Sequence, residues 1–265
     1  SGWGVVRCEG GRQPGAVPSL RSVRVPAALA VFIALLACKK SSDELPPPPP
    51  PATAAPVSTG PCPTGKSTDP GQGEFRPAVT AFKDKDYATA QTLLDNLMTK
   101  YPNSATVRVW RGDAALFDRK VKYAAAADNA IPFYEESEKL HDKGCALPES
   151  EHYYLRMGYA FAYLRKKESE GAIKHLEIAK KNWDNSAEVF YNLARAQCLG
   201  KDVDGCAENF EKALEIAKSL RRPKFLRSHN SLDDWIRRSR TQSEFPSLRR
   251  DKRYSAAIKK ARDDD

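Results

Sequence analysis

The chain has 265 residues, 41% of them apolar and 29% charged, which is the balance of a folding protein and not of a wholly disordered one. Its net charge of +9 is local: residues 218–265 hold 15 Lys and Arg against 7 Asp and Glu, residues 1–37 carry +3, and the stretch between them is slightly acidic. That distribution argues against a nucleic-acid face spread over the whole protein and leaves only a basic tail to account for.

From the start of the chain, Arg21 and Arg24 precede a mostly apolar run over residues 26–37, which Cys38, Lys39 and Lys40 close. A basic flank, a short apolar stretch and small residues at a cut site form the layout of a secretory signal peptide. The run is too short to span a bilayer, which takes about 20 apolar residues. Leu35, Leu36, Ala37 and Cys38 resemble the lipobox of bacterial lipoproteins. The resemblance implies that Cys38 receives a diacylglyceryl thioether and that residues 1–37 are removed as the signal peptide. Lys39 stands where enteric lipoproteins retained in the inner membrane carry Asp, so the resemblance also implies an outer-membrane anchor facing the periplasm. Met98 is the first methionine, and residues ahead of Val17, Leu20 or Val23 are expected to be upstream read-through.

Residues 38–73 are rich in proline, including an unbroken run at 46–51, with Ala, Ser, Thr and Gly between. Such a linker cannot bury enough apolar surface to offset its ordering entropy. Its proline run extends at about 3.1 Å per residue as a stiff spacer. Within it, Gly60, Gly65, Lys66 and Ser67 match the P-loop spacing. Pro61 and Pro63 have no N–H to offer a phosphate, and no strand–helix context surrounds them, so nucleotide binding is not expected.

From residue 74 the pattern becomes helical and repeats. Residues 187–220 place Phe190, Leu193 and Ala194 in one helix and Cys206, Phe210 and Ala213 in the next. Residues 151–186 do the same with Tyr154, Met157, Gly158 and Phe161, then Ala172, Leu176 and Ala179. Asp86, Tyr87, Ala90, Leu94 and Leu97 form the second helix of an earlier unit. Residues 105–147 form a degenerate unit with Gly112 and Tyr134, an insertion around residues 120–128, and a Pro132 that suits a first helical turn. Over residues 74–220 this resembles a tetratricopeptide repeat protein. The implied fold is all-α, an α-solenoid of antiparallel helix pairs, in which no pair buries its own apolar stripe and about three or more must stack. Residues 243–254 are similar to the ending common in bacterial tetratricopeptide arrays, so residues 221–265 are expected to form basic capping helices with a solvated outer face.

No metal-ligand or nucleophile–base constellation accompanies the repeats. Neither an enzyme activity nor a cofactor or metal is expected. With Cys8 and Cys38 set aside, four cysteines remain and allow three pairings. Cys198 and Cys206 fall at one level of a hairpin turning near Lys201, which suits either a disulfide or two packed thiols. The family resemblance implies a partner-binding groove lined by first helices, at Val109, Asp113, Leu116, Phe117, Leu155, Tyr159, Tyr163, Tyr191 and Arg195. Of these Phe117, Tyr159, Tyr163, Tyr191 and Arg195 are the candidate contacts, Tyr and Arg being frequent hot-spot types. The Lys and Asn set with which such domains capture chaperone C-termini is not matched at Val109, Asp113 or Leu155. The expected function is a lipid-anchored scaffold binding another protein or peptide in the envelope. Two alternatives are a cell-wall or anionic-polymer binder acting through the basic tail, and a cytoplasmic adaptor whose start is misassigned.

Overall fold

Helix formation starts where the prolines and glycines thin out. The computed structural model describes residue 62 and residues 69–219, 222–227 and 230–263. The segment with Cys38, most of the proline-rich linker and the P-loop-like stretch other than Cys62 lie outside the described residues. Four helix pairs follow one another: α1 (Gln72–Lys83) with α2 (Tyr87–Lys100), α3 (Ala105–Phe117) with α4 (Tyr123–Asp142), α5 (Glu149–Lys166) with α6 (Ser169–Asn182), and α7 (Ala187–Leu199) with α8 (Val203–Lys218). Each pair packs on the next through α2 and α3, α4 and α5, and α6 and α7. Three further helices, α9 (Leu232–Thr241), α10 (Pro246–Arg250) and α11 (Lys252–Asp263), close the stack against α8. The described residues thus form the tetratricopeptide-like α-solenoid that the helical pattern implies, with no strand among them.

The turns inside three pairs share one device. Lys85, Lys167 and Lys201 all take positive φ, at 64°, 62° and 68°. After each, the next N–H reaches back across the turn, from Asp86 to Ala81, Glu168 to Tyr163 and Asp202 to Gln197. These are six-residue closures that satisfy the last helical carbonyls. Side-chain caps start the following helices, Asp86 accepting from Thr89 N and Asp202 from Gly205 N.

The second pair departs from expectation at two places. The insertion expected around residues 120–128 divides between the turn at 120–122 and the first residues of α4, which is 20 residues long. Pro132 sits inside that helix and not in its first turn. Its ring removes the bond to the Asp128 carbonyl, but both residues are exposed, so water can take the orphaned oxygen.

Tyr134 of α4 is fully buried, and its ring fills the space left by two glycines. A Cβ on Gly112 of α3 would lie 2.5 Å from its Cε1, and one on Gly158 of α5 would lie 2.5 Å from its Cζ. Small residues on α3 and α5 therefore let three helices converge on one aromatic ring. Gly158→Ala should destabilise the chain by about 1–3 kcal/mol through overpacking, measured by denaturant unfolding. An unchanged midpoint would mean that Tyr134 has room to move.

Candidate functional site

α3 packs on α5 and α5 on α7, so the first helices line one face. The groove positions expected there divide sharply. Val109, Leu116 and Leu155 are core, fully excluded from solvent. Tyr159 is only 2% exposed: its ring stacks on His175 at 3.9 Å and its hydroxyl donates to Glu138 at 3.2 Å. Tyr191 is equally buried, walled by Trp235 at 4.5 Å and Phe245 at 5.4 Å. Arg195 is held by Glu244 at 2.8 Å and Asn192 at 2.7 Å. Phe117 and Tyr163 are half-buried, Phe117 beneath Arg165 at 5.3 Å and Tyr163 stacked on the Tyr159–His175 pair. Tyr159, Tyr191 and Arg195 thus each make internal contacts. The stack continues past residue 220, so α9 and the turn before α10 cover what a shorter array would leave open.

Asp113, the remaining expected groove residue, is a buried carboxylate with partners from two other segments. It lies in a cage whose other members are Trp110 of α3 and Glu151 and Tyr154 of α5. The Arg227 guanidinium fills this cage. Its carbon stands 3.7 Å from the centroid of the Trp110 ring and 3.7 Å from that of Tyr154. Nη1 donates to Asp113 Oδ2 at 2.9 Å and Nη2 to Glu151 Oε2 at 2.7 Å. The Arg227 backbone N–H donates to the Tyr154 hydroxyl. Asp113 accepts a further bond from Tyr134 Oη at 2.8 Å, which fixes the carboxylate from behind. Burial pushes the Asp113 and Glu151 carboxyls up, and the Arg227 charge pulls both back. A cation against an indole face is worth about 0.5–2 kcal/mol, with the larger value in desolvated sites.

Arg227 arrives on the connection between α8 and α9. Ahead of it Pro223 is buried, and Phe225 packs edge-on against Tyr153 at 5.5 Å and Trp183 at 6.4 Å. Counting Arg227 within the basic tail hides this role. The signal available in the sequence is the pairing of an aromatic, Phe225, with an arginine two residues later in a connection between helices, opposite Asp113, the one acid of α3.

Other tail cations are likewise engaged. Arg253 pairs with Asp204 at 2.8 Å and Asp251 at 2.7 Å, Lys260 with Glu211 at 2.7 Å, and Arg262 with Asp233 at 3.3 Å. Arg249 donates to the carbonyls of Ser239 and Gln242. The pairs with Asp204 and Glu211 tie α11 to α8, and the others join the closing helices to one another.

Cys198 and Cys206 form a disulfide across the α7–α8 turn, with Cα atoms 5.2 Å apart. A second disulfide joins Cys62 to Cys145, also 5.2 Å between Cα atoms, and so ties the proline-rich segment to the connection between α4 and α5. Histidines distant in sequence come together: the rings of His141 and His152 lie 5.3 Å apart, and His152 meets Trp183 at 5.6 Å. Among the described residues no group of three or more His, Cys, Asp or Glu is placed to hold a metal ion, and no helix is long and apolar enough to cross a membrane.

A family model described as a tetratricopeptide repeat matches residues 75–104, which covers most of α1, all of α2 and the turn into α3. No curated protein matches the chain. The matched unit is the one whose first helix the repeat spacing of the later units leaves unassigned.

A polar cluster behind the face makes stability depend on pH. Arg156 Nη1 lies 3.3 Å from His175 Nδ1 and also donates to Glu138. Arginine only donates, so Nδ1 accepts and the ring is neutral. Burial, and then the Arg156 and Lys174 charges, push His175 down to about 4, against the opposing pull of Glu138. The unfolded chain binds this proton near pH 6.5, so the associated stability is complete above that value and is lost as pH falls toward 4. Unfolding free energies should therefore drop by about 2–3 kcal/mol over that window on account of this group. His175→Phe should flatten that slope relative to the unsubstituted chain, and identical slopes would contradict the assignment.

Proposed function

We propose that the chain is a lipid-anchored, non-enzymatic scaffold that binds another protein in the bacterial envelope. The helical stack and the tetratricopeptide match support a protein–protein interaction scaffold. The observation that carries the binding reading is the cage of Trp110, Asp113, Glu151 and Tyr154, a built recognition site on the face where first helices meet. The basic flank, the short apolar run and Cys38 support the anchor, and the proline-rich linker holds the array clear of the membrane surface. Anchorage by one acyl chain is marginal, and the lipoprotein modification supplies more than one. Binding of an anionic polymer through the tail is the weaker reading, because Arg227, Arg249, Arg253, Lys260 and Arg262 are spent on internal partners.

Cells fed an alkyne fatty acid should label the chain, and Cys38→Ser should abolish the label and release the protein from the membrane fraction. A photo-crosslinker at exposed Lys224, beside the cage, should join the chain to a discrete protein. An unlabelled wild-type chain overturns the anchor, and crosslinks to glycan alone overturn the protein-scaffold reading.

A further inference from the structure

The cage is occupied by the chain itself. The connection over residues 219–231 is longer than any other between helices of the array, and it carries Phe225 to α5 and Arg227 to both α3 and α5. Long connections inside a compact array commonly carry function. The fit is specific for a guanidinium. Two aromatic rings stand 3.7 Å from the guanidinium carbon, and separate carboxylates meet Nη1 and Nη2. A lysine ammonium has no plane to stack and presents a single point of charge. The strap is attached more lightly than the helices around it. Phe225 and Leu226 are only partly buried, the Arg227 side chain keeps 25% of its exposure, and the described residues of the strap contain no helix. Its release would leave α3 and α5 packed as they are, with two carboxylates between two aromatic walls.

We propose that the cage is the partner-recognition site, that Phe225–Arg227 is a built-in stand-in for the partner, and that a partner protein binds by inserting an arginine, preceded two residues earlier by an aromatic, in place of the strap. This rests on the scaffold reading above and names the chemistry of its partner. The tethered strap competes at high effective concentration, so the free site is masked until the partner displaces it.

The probe is the capped hexapeptide Arg-Pro-Lys-Phe-Leu-Arg, which is the strap's own sequence over residues 222–227, titrated into the purified full chain by fluorescence anisotropy. Arg227→Ala should bind it roughly tenfold or more tightly than wild type, because the tethered competitor has lost its anchor. Replacing the peptide's last arginine by lysine or alanine should weaken binding by a similar factor, and Asp113→Asn added to Arg227→Ala should abolish the gain. Should Arg227→Ala fail to fold, Phe225→Ala loosens the strap without orphaning Asp113 and is held to the same criterion. Binding that is no tighter in either variant, or that ignores the peptide's arginine, overturns the proposal. So does a wild-type chain that dimerises by exchanging straps, since the cage would then serve a second copy. The crosslink from Lys224 to a discrete protein can survive any of these results, so failure of this inference and failure of the scaffold reading are separable.

Discussion

Tyr134 is the residue on which the arrangement depends. Its ring occupies a gap that exists only because α3 and α5 carry glycine at residues 112 and 158. Its hydroxyl then bonds Asp113, so the packing of three helices sets the position of a buried carboxylate. Asp113 in turn receives Arg227 from 114 residues along the chain. One aromatic ring thus couples the core of the second pair, the lining of the first-helix face and the path of the strap between α8 and α9. A change in the packing of that ring is felt at the carboxylate and at the strap, because close-packed interiors do not deform smoothly.

Much of this fold could be read from spacing alone. Small residues such as Ala172, Ala179, Ala194 and Ala213 recur where helices approach, and each is buried in the structure. Gly112, Tyr134 and Gly158 likewise stand at repeat positions, although spacing does not say that they meet at one point. The site was harder to read. Periodicity identifies a helix face but not what else folds onto it, and so Tyr159 and Tyr191 pass for a surface while His175 and Trp235 cover them. Arg227 was hidden for the opposite reason. It lies in a basic stretch whose charges look interchangeable, and only a contact with Asp113 distinguishes it from its neighbours. The α4 helix shows the same limit locally, since Pro132 in mid-helix is tolerated through solvent exposure, a property that sequence spacing does not carry.

The physical picture that results is a scaffold that carries a placeholder on its recognition face. An unfilled cage would hold two buried carboxylates with nothing to balance them, an expensive state in a low-dielectric site. Arg227 removes that cost in the resting chain and at the same time sets the standard a partner must meet. Specificity then comes from the guanidinium geometry, and affinity from whatever else a partner adds along the face. The closing helices are held to α8 by ion pairs at Asp204 and Glu211 and by an apolar cluster that includes Phe210, Trp235 and Phe245, so the strap can exchange without loosening the end of the array.

The central claim, that the glycine–tyrosine core presents Asp113 to the strap, is tested most directly by a double-mutant cycle. Asp113→Asn and Arg227→Met, alone and together, are compared by denaturant unfolding of the full chain. The account predicts a coupling energy of about 1–3 kcal/mol between the two positions, as for residues in direct contact within one network. Additivity to within about 0.3 kcal/mol, the behaviour of independent sites, would contradict it.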